Sequence, residues 1–298
     1  MLETLAILTD GLTYAAYLFI VSVGLSLIFG VMKVLNIAHG AFYAFGAYGA
    51  ATAVGMYFDK GWPAAGGFLL MAMVAMVVGA IVGAVLERGL LRFMYRKDEV
   101  ILALVTYASF LVLEDVIVFI WGPGTMSAYQ PLEVAGNFMV GGLLLSGYDA
   151  GLVGVAFVLA VATYLGLRRT RAGRLLTTVI FDREIAAAFG INVTLVFAVT
   201  FAIGGALGAL AGAVMAPKIA VTLGIGVEVI VLAFAVVAIG GMGSMEGAVV
   251  GALIVGLARA FAVHVVPQVE LFVIYAVMAL VLAFRPRGLF ARALPRKI

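Results

Sequence analysis

The sequence contains no cysteine, only two histidines and few charged residues, which make up 11% of its 298 positions. Without cysteine, the chain has no disulfide framework, no thiolate metal ligand and no thiol nucleophile. Neither His39 nor His264 has a second histidine or a carboxylate three or four residues away to complete a helical metal site. Soluble globular domains carry about a quarter charged residues. The composition therefore excludes a water-soluble fold, and we expect neither a metal site nor an enzyme.

Long apolar runs occupy most of the chain. Hydrophobic residues form 65% of the sequence, and its mean hydropathy is +1.24. The runs are about 20 residues long, which is the length that a helix needs to cross a bilayer core. Because they are apolar on all sides, we predict an all-α polytopic membrane protein with one transmembrane domain over residues 1–298. The predicted spans are 12–31, 35–57, 65–86, 101–121, 151–167, 192–216, 228–239, 247–263 and 271–284.

The number of spans is predicted to be eight or nine. The run at 228–239 is short for a crossing, and glycines interrupt the runs at 35–57 and 247–263. We therefore expect at least one broken or re-entrant helix, which a membrane bundle tolerates where the backbone is buried in protein or lines a cavity.

Basic residues indicate the orientation. They concentrate at 87–99, at 168–190 and after residue 284, and the positive-inside rule places these stretches in the cytoplasm. With the N-terminus outside and the C-terminus in the cytoplasm, all three basic stretches lie in the cytoplasm. This arrangement needs an odd number of spans and therefore favours nine. The first ten residues contain no basic residue, so we expect no cleavable signal peptide. The basic residues of these three stretches are Arg88, Arg92, Arg96, Lys97, Arg168, Arg169, Arg171, Arg174, Arg183, Arg285, Arg287, Arg292, Arg296 and Lys297.

The sequence also lacks a phosphate-binding loop. Its nearest glycine-rich run, GGMGSMEG at 240–247, contains no lysine and does not match the pattern GxxxxGK[ST]. We therefore expect that the chain does not hydrolyse ATP by itself and holds no cofactor.

Two glycine-containing segments are candidates for a transport pathway. Broken helices in transporters expose backbone groups that bind ligand, and polar residues inside a membrane are costly to bury. Close helix packing is an equally good interpretation of the same residues. The candidates are Asn36, His39, Gly40 and Tyr43 in the first segment, and Gly243, Glu246 and Gly247 in the second.

Glu114 and Asp115 are adjacent acidic residues within a predicted span. Neighbouring side chains on an α-helix point about 100° apart, so these two carboxylates cannot face each other as a catalytic pair. A structural role is the preferred interpretation. Proton transport by a self-sufficient carrier remains the alternative.

The stretch DREIAAAFGI at 182–191 predicts a short helix outside the membrane. Asp182 is a suitable N-cap, Glu184 suits the positive end of the helix dipole, and Gly190 suits the C-terminal stop. Its small side chains form a surface that the groove of another protein would accept, although a plain connector has the same composition.

Three long strings, at 30–50, 171–193 and 238–256, together with RPRGLF at 285–290, resemble one family. They are similar to the permease subunits of ABC importers for branched-chain amino acids, in the LivH branch, and they occur in the same order. The chain departs from the pattern at Lys33, where a small residue is common, and at Glu114 and Asp115, where Gln and Asn are frequent.

The resemblance implies a permease that pairs with a homologous sister subunit in the bacterial inner membrane. It also implies two cytoplasmic ATPase subunits that use ATP, a substrate-binding protein outside the membrane, and no nucleic-acid partner. Its substrates would be branched-chain amino acids, or alternatively urea, short amides or aromatic acids. A coupling loop near 168–191 would contact the ATPase through Asp182, Arg183, Glu184, Ala186, Ala187 and Gly190.

Overall fold

The computed structural model describes residues 2–95 and 97–290. Arg96, Arg292, Arg296 and Lys297, which contribute to the predicted orientation, lie outside the described residues. Within these ranges the chain forms twelve α-helices and one β-hairpin. The helices are α1 Leu2–Met32, α2 His39–Asp59, α3 Ala64–Gly89, α4 Glu99–Trp121, α5 Gln130–Ala135, α6 Gly147–Arg169, α7 Arg171–Phe181, α8 Arg183–Ala188, α9 Val193–Met215, α10 Ile225–Gly240, α11 Met245–Val265 and α12 Glu270–Phe284.

Each of the nine predicted runs coincides with an α-helix: α1 to α4, α6 and α9 to α12. Seven helical segments of the described chain are long and apolar enough to cross a membrane. They are Leu2–Met32, Ala64–Phe93, Glu99–Trp121, Gly147–Arg169, Val193–Met215, Met245–Val265 and Pro267–Phe284, whereas α10 has 16 residues. The prediction of an all-α polytopic membrane protein is thereby confirmed.

Two details of the predicted spans differ from the structure. Helix α1 begins at Leu2, ten residues before the predicted start, because the mixed sequence at its beginning continues the helix beyond the apolar run. The glycine-containing helices α2 and α11 are each continuous. The non-helical backbone between α1 and α2, at residues 33–38, includes the first four residues of the predicted span 35–57.

The centre of the bundle is α1, which packs mainly against α9 and α11. Helix α9 in turn packs against α2 and α3. These contacts depend on glycine, since a Cβ atom on Gly46 of α2 would lie 1.9 Å from the carbonyl oxygen of Ala209. A Cβ atom on Gly212 of α9 would likewise lie 1.9 Å from the carbonyl oxygen of Tyr43. Small residues thus allow the backbones of membrane helices to touch.

The loop between α4 and α6 contains structure that the sequence did not predict. Helix α5 is followed by strands β1 Asn137–Val140 and β2 Leu143–Ser146, which pair antiparallel with Phe138 opposite Leu145. Gly141 and Gly142 connect the strands at φ values of 58° and 89°. Two consecutive positive φ values are typical of the tight turns that close hairpins, and glycine adopts them readily.

Candidate functional site

The non-helical segment between α1 and α2 is held by α4. The hydroxyl group of Thr106 donates a hydrogen bond to the carbonyl oxygen of Leu35 at 3.0 Å and accepts one from the backbone N–H of Ile37 at 3.2 Å. Lys33 starts the segment in the left-handed conformation, at φ 58°, and its ammonium group lies 5.7 Å from the ring centroid of Phe29. Irregular backbone of this kind requires such partners inside a membrane protein.

The first group of predicted pathway residues lies at the start of α2. Asn36, His39, Gly40 and Tyr43 are all buried in the structure. The Nε2 atom of His39 lies 3.0 Å from the carbonyl oxygen of Val21 in α1. Neither side-chain amide atom of Asn36 has a hydrogen-bond partner among residues 2–95 and 97–290.

Gly40 brings two helix starts together. A Cβ atom on Gly40 would lie 2.3 Å from the carbonyl oxygen of Gly226, which stands near the start of α10. The His39 ring fills a similarly narrow space, because a Cβ atom on Gly208 would lie 2.8 Å from its Cε1 atom. The backbone is therefore closely packed around this group.

The second group of predicted pathway residues lies at the turn between α10 and α11. Ser244 caps α11 by accepting a hydrogen bond from the backbone N–H of Gly247 at 3.0 Å, and its own carbonyl oxygen accepts one from the Ser26 hydroxyl group at 3.2 Å. Gly243 packs closely on Gly30 of α1. The turn is therefore attached to the C-terminal part of α1.

A cavity of about 150 Å³ opens beside this turn. Gly243 and Glu246 line it together with Arg168, whose guanidinium group is 3.1 Å from the Glu246 carboxylate. Arg168 also lies 4.7 Å from the ring centroid of Tyr164. Gly247 packs against Gly240 instead. The structure thus separates the predicted pathway residues into a buried group and a group at a cavity. The sequence indicated Arg168 only as an orientation signal.

The helix predicted at 182–191 is present as α8. The Oδ1 atom of Asp182 accepts hydrogen bonds from the backbone N–H groups of Glu184 and Ile185, each at 2.9 Å. The chain then leaves the helix through Gly190 at φ 78°. The N-cap and the stop are those that the residue types predict. The preceding helix α7, capped by Thr170, was not predicted.

The residues predicted to contact an ATPase divide between two faces of α8. Ala187 and Glu184 are exposed, whereas Ala186 is fully buried, so the prediction that Ala186 contacts a partner needs correction. Ile185 and Phe189, which the sequence analysis did not single out, are 53% and 81% exposed. Large apolar side chains that stand free at a surface mark interaction sites when they are grouped.

Arg183, at the start of α8, is half-buried and turned towards the membrane helices. Its guanidinium group donates a hydrogen bond to the carbonyl oxygen of Met32, the last residue of α1, and lies 5.0 Å from the ring centroid of Phe197 in α9. The Tyr95 ring packs edge-on against the Phe197 ring, with 4.9 Å between the two centroids. Arg183 therefore joins α8 to α1 and α9.

Tyr95 extends this cluster to a buried acid. Its hydroxyl group donates a hydrogen bond to the carboxylate of Glu87, which has no exposed surface. Burial, followed by the bond to Glu87, raises the pKa of Tyr95 well above its usual value, so the phenol keeps the proton that it donates. No motif in the sequence connected Glu87, Tyr95 and Phe197, because they come together only in the fold.

Glu114 and Asp115 occupy different environments. The Oε2 atom of Glu114 accepts a hydrogen bond from the backbone N–H of Gly224 at 3.1 Å, and Asp115 is exposed on the surface of α4. They do not form a carboxylate pair. Within the described ranges, no group of three or more His, Cys, Asp or Glu side chains is placed to hold a metal ion.

Long apolar helices around a central helix, with a short capped helix at the end of the bundle, define a multi-pass helical membrane protein. The chain belongs to the family described as the permease component of the branched-chain amino acid transport system, whose pattern matches residues 7–282. The resemblance noted in the sequence is thereby confirmed. This is a family of transporter components and not of enzymes.

Several known proteins are similar along most of their length. The high-affinity branched-chain amino acid transport system permease protein BraD of Pseudomonas aeruginosa is 28% identical over 299 residues, which cover 98% of this chain and 97% of BraD. LivH of Escherichia coli K12, which bears the same description, is 28% identical over 304 residues, which cover 97% of this chain and 95% of LivH. The solved structure of PsaBC from Streptococcus pneumoniae in complex with Fab matches with a TM-score of 0.49 and 12% identity, over 93% of this chain and 91% of that one.

Proposed function

We propose that this chain is the permease subunit of an ABC importer that carries branched-chain amino acids. The observation that supports ATP-driven transport best is the two-sided nature of α8. One side exposes Ile185 and Phe189, and the other is attached through Arg183 to the end of the central helix α1. A helix with a free apolar face and a fixed inner face is suited to transmit movement from a partner to the bundle. The substrate class follows the names of the similar proteins BraD and LivH.

The proposed topology has nine crossings, with the N-terminus outside and the C-terminus in the cytoplasm. Three side-chain contacts between helix ends agree with this alternation. The start of α6 meets the end of α9 through Asp149 and Lys218, while the start of α1 meets the end of α11 through Asp10 and His264. At the opposite end, the end of α6 meets the start of α11 through Arg168. The non-helical segment at 33–38 is the proposed break in the membrane path.

The proposed assembly consists of this chain, a homologous sister permease, two cytoplasmic ATPase subunits and a substrate-binding protein outside the bacterial inner membrane. The ATPase subunits would use ATP, and this chain would hold no cofactor. The exposed residues of α8, Glu184, Ile185 and Ala187, together with Phe189 directly after the helix, would contact an ATPase subunit. The two groups at the start of α2 and at the α10–α11 turn would border the transport pathway.

Two alternatives are retained. An importer of the same type would carry urea, short amides or aromatic acids, since substrate choice depends on few side chains. A self-sufficient carrier coupled to protons would use Glu114 or Asp115. However, Glu114 accepts a hydrogen bond from the backbone N–H of Gly224, and the two carboxylates do not share a site.

ATP-driven uptake by the complete assembly tests the proposal. The permease, its sister, the ATPase subunits and the binding protein would be reconstituted into vesicles and offered leucine, isoleucine, valine, urea, acetamide and an aromatic acid. We expect uptake of the three aliphatic amino acids that requires ATP hydrolysis. Uptake that persists without ATPase subunits would favour the proton-coupled carrier. Uptake restricted to urea or amides would show that these, and not branched-chain amino acids, are the substrates.

A further inference from the structure

A second polar cavity lies at the end of the bundle opposite α7 and α8. It has a volume of about 200 Å³, room for several water molecules at about 30 Å³ each. Four helix ends form it: the first part of α1, the start of α6, the end of α9 with the residues after it, and the end of α11. Under the proposed topology, this cavity faces the outside.

The cavity contains two cationic side chains. The Arg259 guanidinium lies 3.8 Å from the ring centroid of Tyr14 and forms an ion pair with Glu270. Its Nε atom is buried and has no hydrogen-bond partner in the part of the chain that the structure describes. Lys218 pairs with Asp149. Because a guanidinium group has five N–H donors and an ammonium group three, both retain donors for an anionic ligand.

Two carboxylates line the same cavity. Asp149 belongs to the pair with Lys218, and the Oδ2 atom of Asp10 lies 3.5 Å from Nε2 of His264. A carboxylate accepts about four hydrogen bonds, so each can also receive a ligand ammonium group. The presence of both signs of charge favours a zwitterion over a simple anion or a metal ion. Leu152, Met215 and Val263 add apolar surface.

We propose that this cavity binds a free α-amino acid with an aliphatic side chain. Arg259 and Lys218 would bind the carboxylate group, Asp10 and Asp149 the ammonium group, and the apolar residues the side chain. The aliphatic class rests on the proposed function. The site would receive substrate at the outer end of the permease, before it enters the bundle.

Equilibrium binding of radiolabelled leucine to the assembled importer, without its binding protein, tests this site. The complex would be held in nanodiscs of phosphatidylglycerol and phosphatidylcholine. The variants remove both members of an ion pair, so that neither partly exposed charge is left without its partner. They are Lys218→Gln with Asp149→Asn, and Arg259→Gln with Glu270→Gln. Lys60→Gln is the control, since Lys60 is exposed at the end of α2.

We expect each double variant to weaken leucine binding at least tenfold and Lys60→Gln to leave it unchanged. Isocaproate, which lacks the ammonium group, and isoamylamine, which lacks the carboxylate, should compete poorly with leucine. A photoreactive leucine analogue should label peptides from the start of α1 and the end of α11 in the wild-type complex. This measurement does not depend on whether the variants assemble.

Unchanged binding in both double variants, absence of leucine binding, or labelling elsewhere would overturn the site. Loss of leucine binding in nanodiscs with phosphatidylethanolamine would assign the cavity to that lipid headgroup and also overturn it. ATP-driven leucine uptake, measured in parallel, separates this inference from the proposed function. Normal uptake by both double variants refutes the cavity alone, whereas no uptake of any branched-chain amino acid by the wild type refutes the proposed function.

Discussion

Arg183, the first residue of α8, donates a hydrogen bond to the carbonyl oxygen of Met32, the last residue of α1. The last carbonyl groups of a helix lack partners within that helix and carry its partial negative charge, so a cation stabilises them. The helix held in this way has the most buried apolar segment of the seven long apolar helices in the described chain. This contact therefore connects α8 directly to the centre of the bundle.

Removal of the Arg183 guanidinium group should uncouple ATP hydrolysis from transport. A hydrogen bond to a charged group contributes about 1.5–3 kcal/mol, so Arg183→Met would loosen α8 from α1 without unfolding the bundle. We expect ATPase association and hydrolysis to persist while uptake falls by roughly tenfold. Uptake and phosphate release would be measured on the same vesicles. Arg171→Met, at an exposed position of α7, is the control, and a normal ratio of uptake to hydrolysis in Arg183→Met would contradict the prediction.

Two of the three alanines of α8, Ala186 and Ala187, should respond differently to a cross-linking reagent. The chain contains no natural cysteine, so a single introduced cysteine is labelled without interference. We expect Ala187→Cys, which is exposed, to cross-link to an ATPase subunit in the assembled complex, and the buried Ala186→Cys not to do so. A bulky Ala187→Trp should reduce ATPase association. Cross-linking from neither Ala187 nor Phe189 would show that α8 is an ordinary connector.

Two glycines of α2 should have opposite effects when they are replaced by alanine. A Cβ atom on Gly46 would lie 1.9 Å from the carbonyl oxygen of Ala209, but one on Gly55 would meet no atom within 4 Å. Overpacking costs about 1–3 kcal/mol, whereas alanine in an open helical position is favourable by up to about 1 kcal/mol. Gly46→Ala should thus lower the thermal stability of the purified protein and Gly55→Ala should not. Equal melting temperatures would refute the close α2–α9 contact.

The sequence predicted the long elements well because membrane helices follow from the length of apolar runs alone. It also predicted the cap of α8, since Asp182 acts on the backbone two and three residues away. The α1 extension and the hairpin were not predicted. Leu2 to residue 11 mixes polar and apolar residues, and the strands contain four residues each. Such short or mixed segments carry weak periodic signals.

Contacts between distant parts of the chain could not be predicted from the sequence. Arg183 was predicted to face a partner because the family resemblance places it in a coupling loop. Its contact with Met32, 151 positions away, could not be predicted, since a carbonyl group has no sequence signature. His39 was assigned to a pathway by its residue type. Its ring occupies a buried space beside Gly24 and Gly208, which depends on how three helices meet.

Neutral amides should replace Glu114 and Asp115 without loss of ATP-driven transport. Glu114 acts as a hydrogen-bond acceptor for the N–H of Gly224 at 3.1 Å, and the carbonyl oxygen of a glutamine can accept the same bond. Glu114→Gln with Asp115→Asn should therefore keep uptake and its pH profile, measured in vesicles at several external pH values.

Glu114→Leu is the matched variant for this acceptor, because it leaves the N–H of Gly224 without its side-chain partner. A fully buried donor without an acceptor costs about 1–3 kcal/mol, and Gly224 is partly buried. This variant should therefore melt at a somewhat lower temperature than the wild type, while the amide variant should not. Lower stability in Glu114→Leu together with normal uptake in the amide variant would identify Glu114 as a hydrogen-bond acceptor and not as a proton carrier. If the amide variant loses uptake together with its pH dependence, Glu114 or Asp115 carries a proton, and the chain works as a carrier driven by a proton gradient instead of ATP.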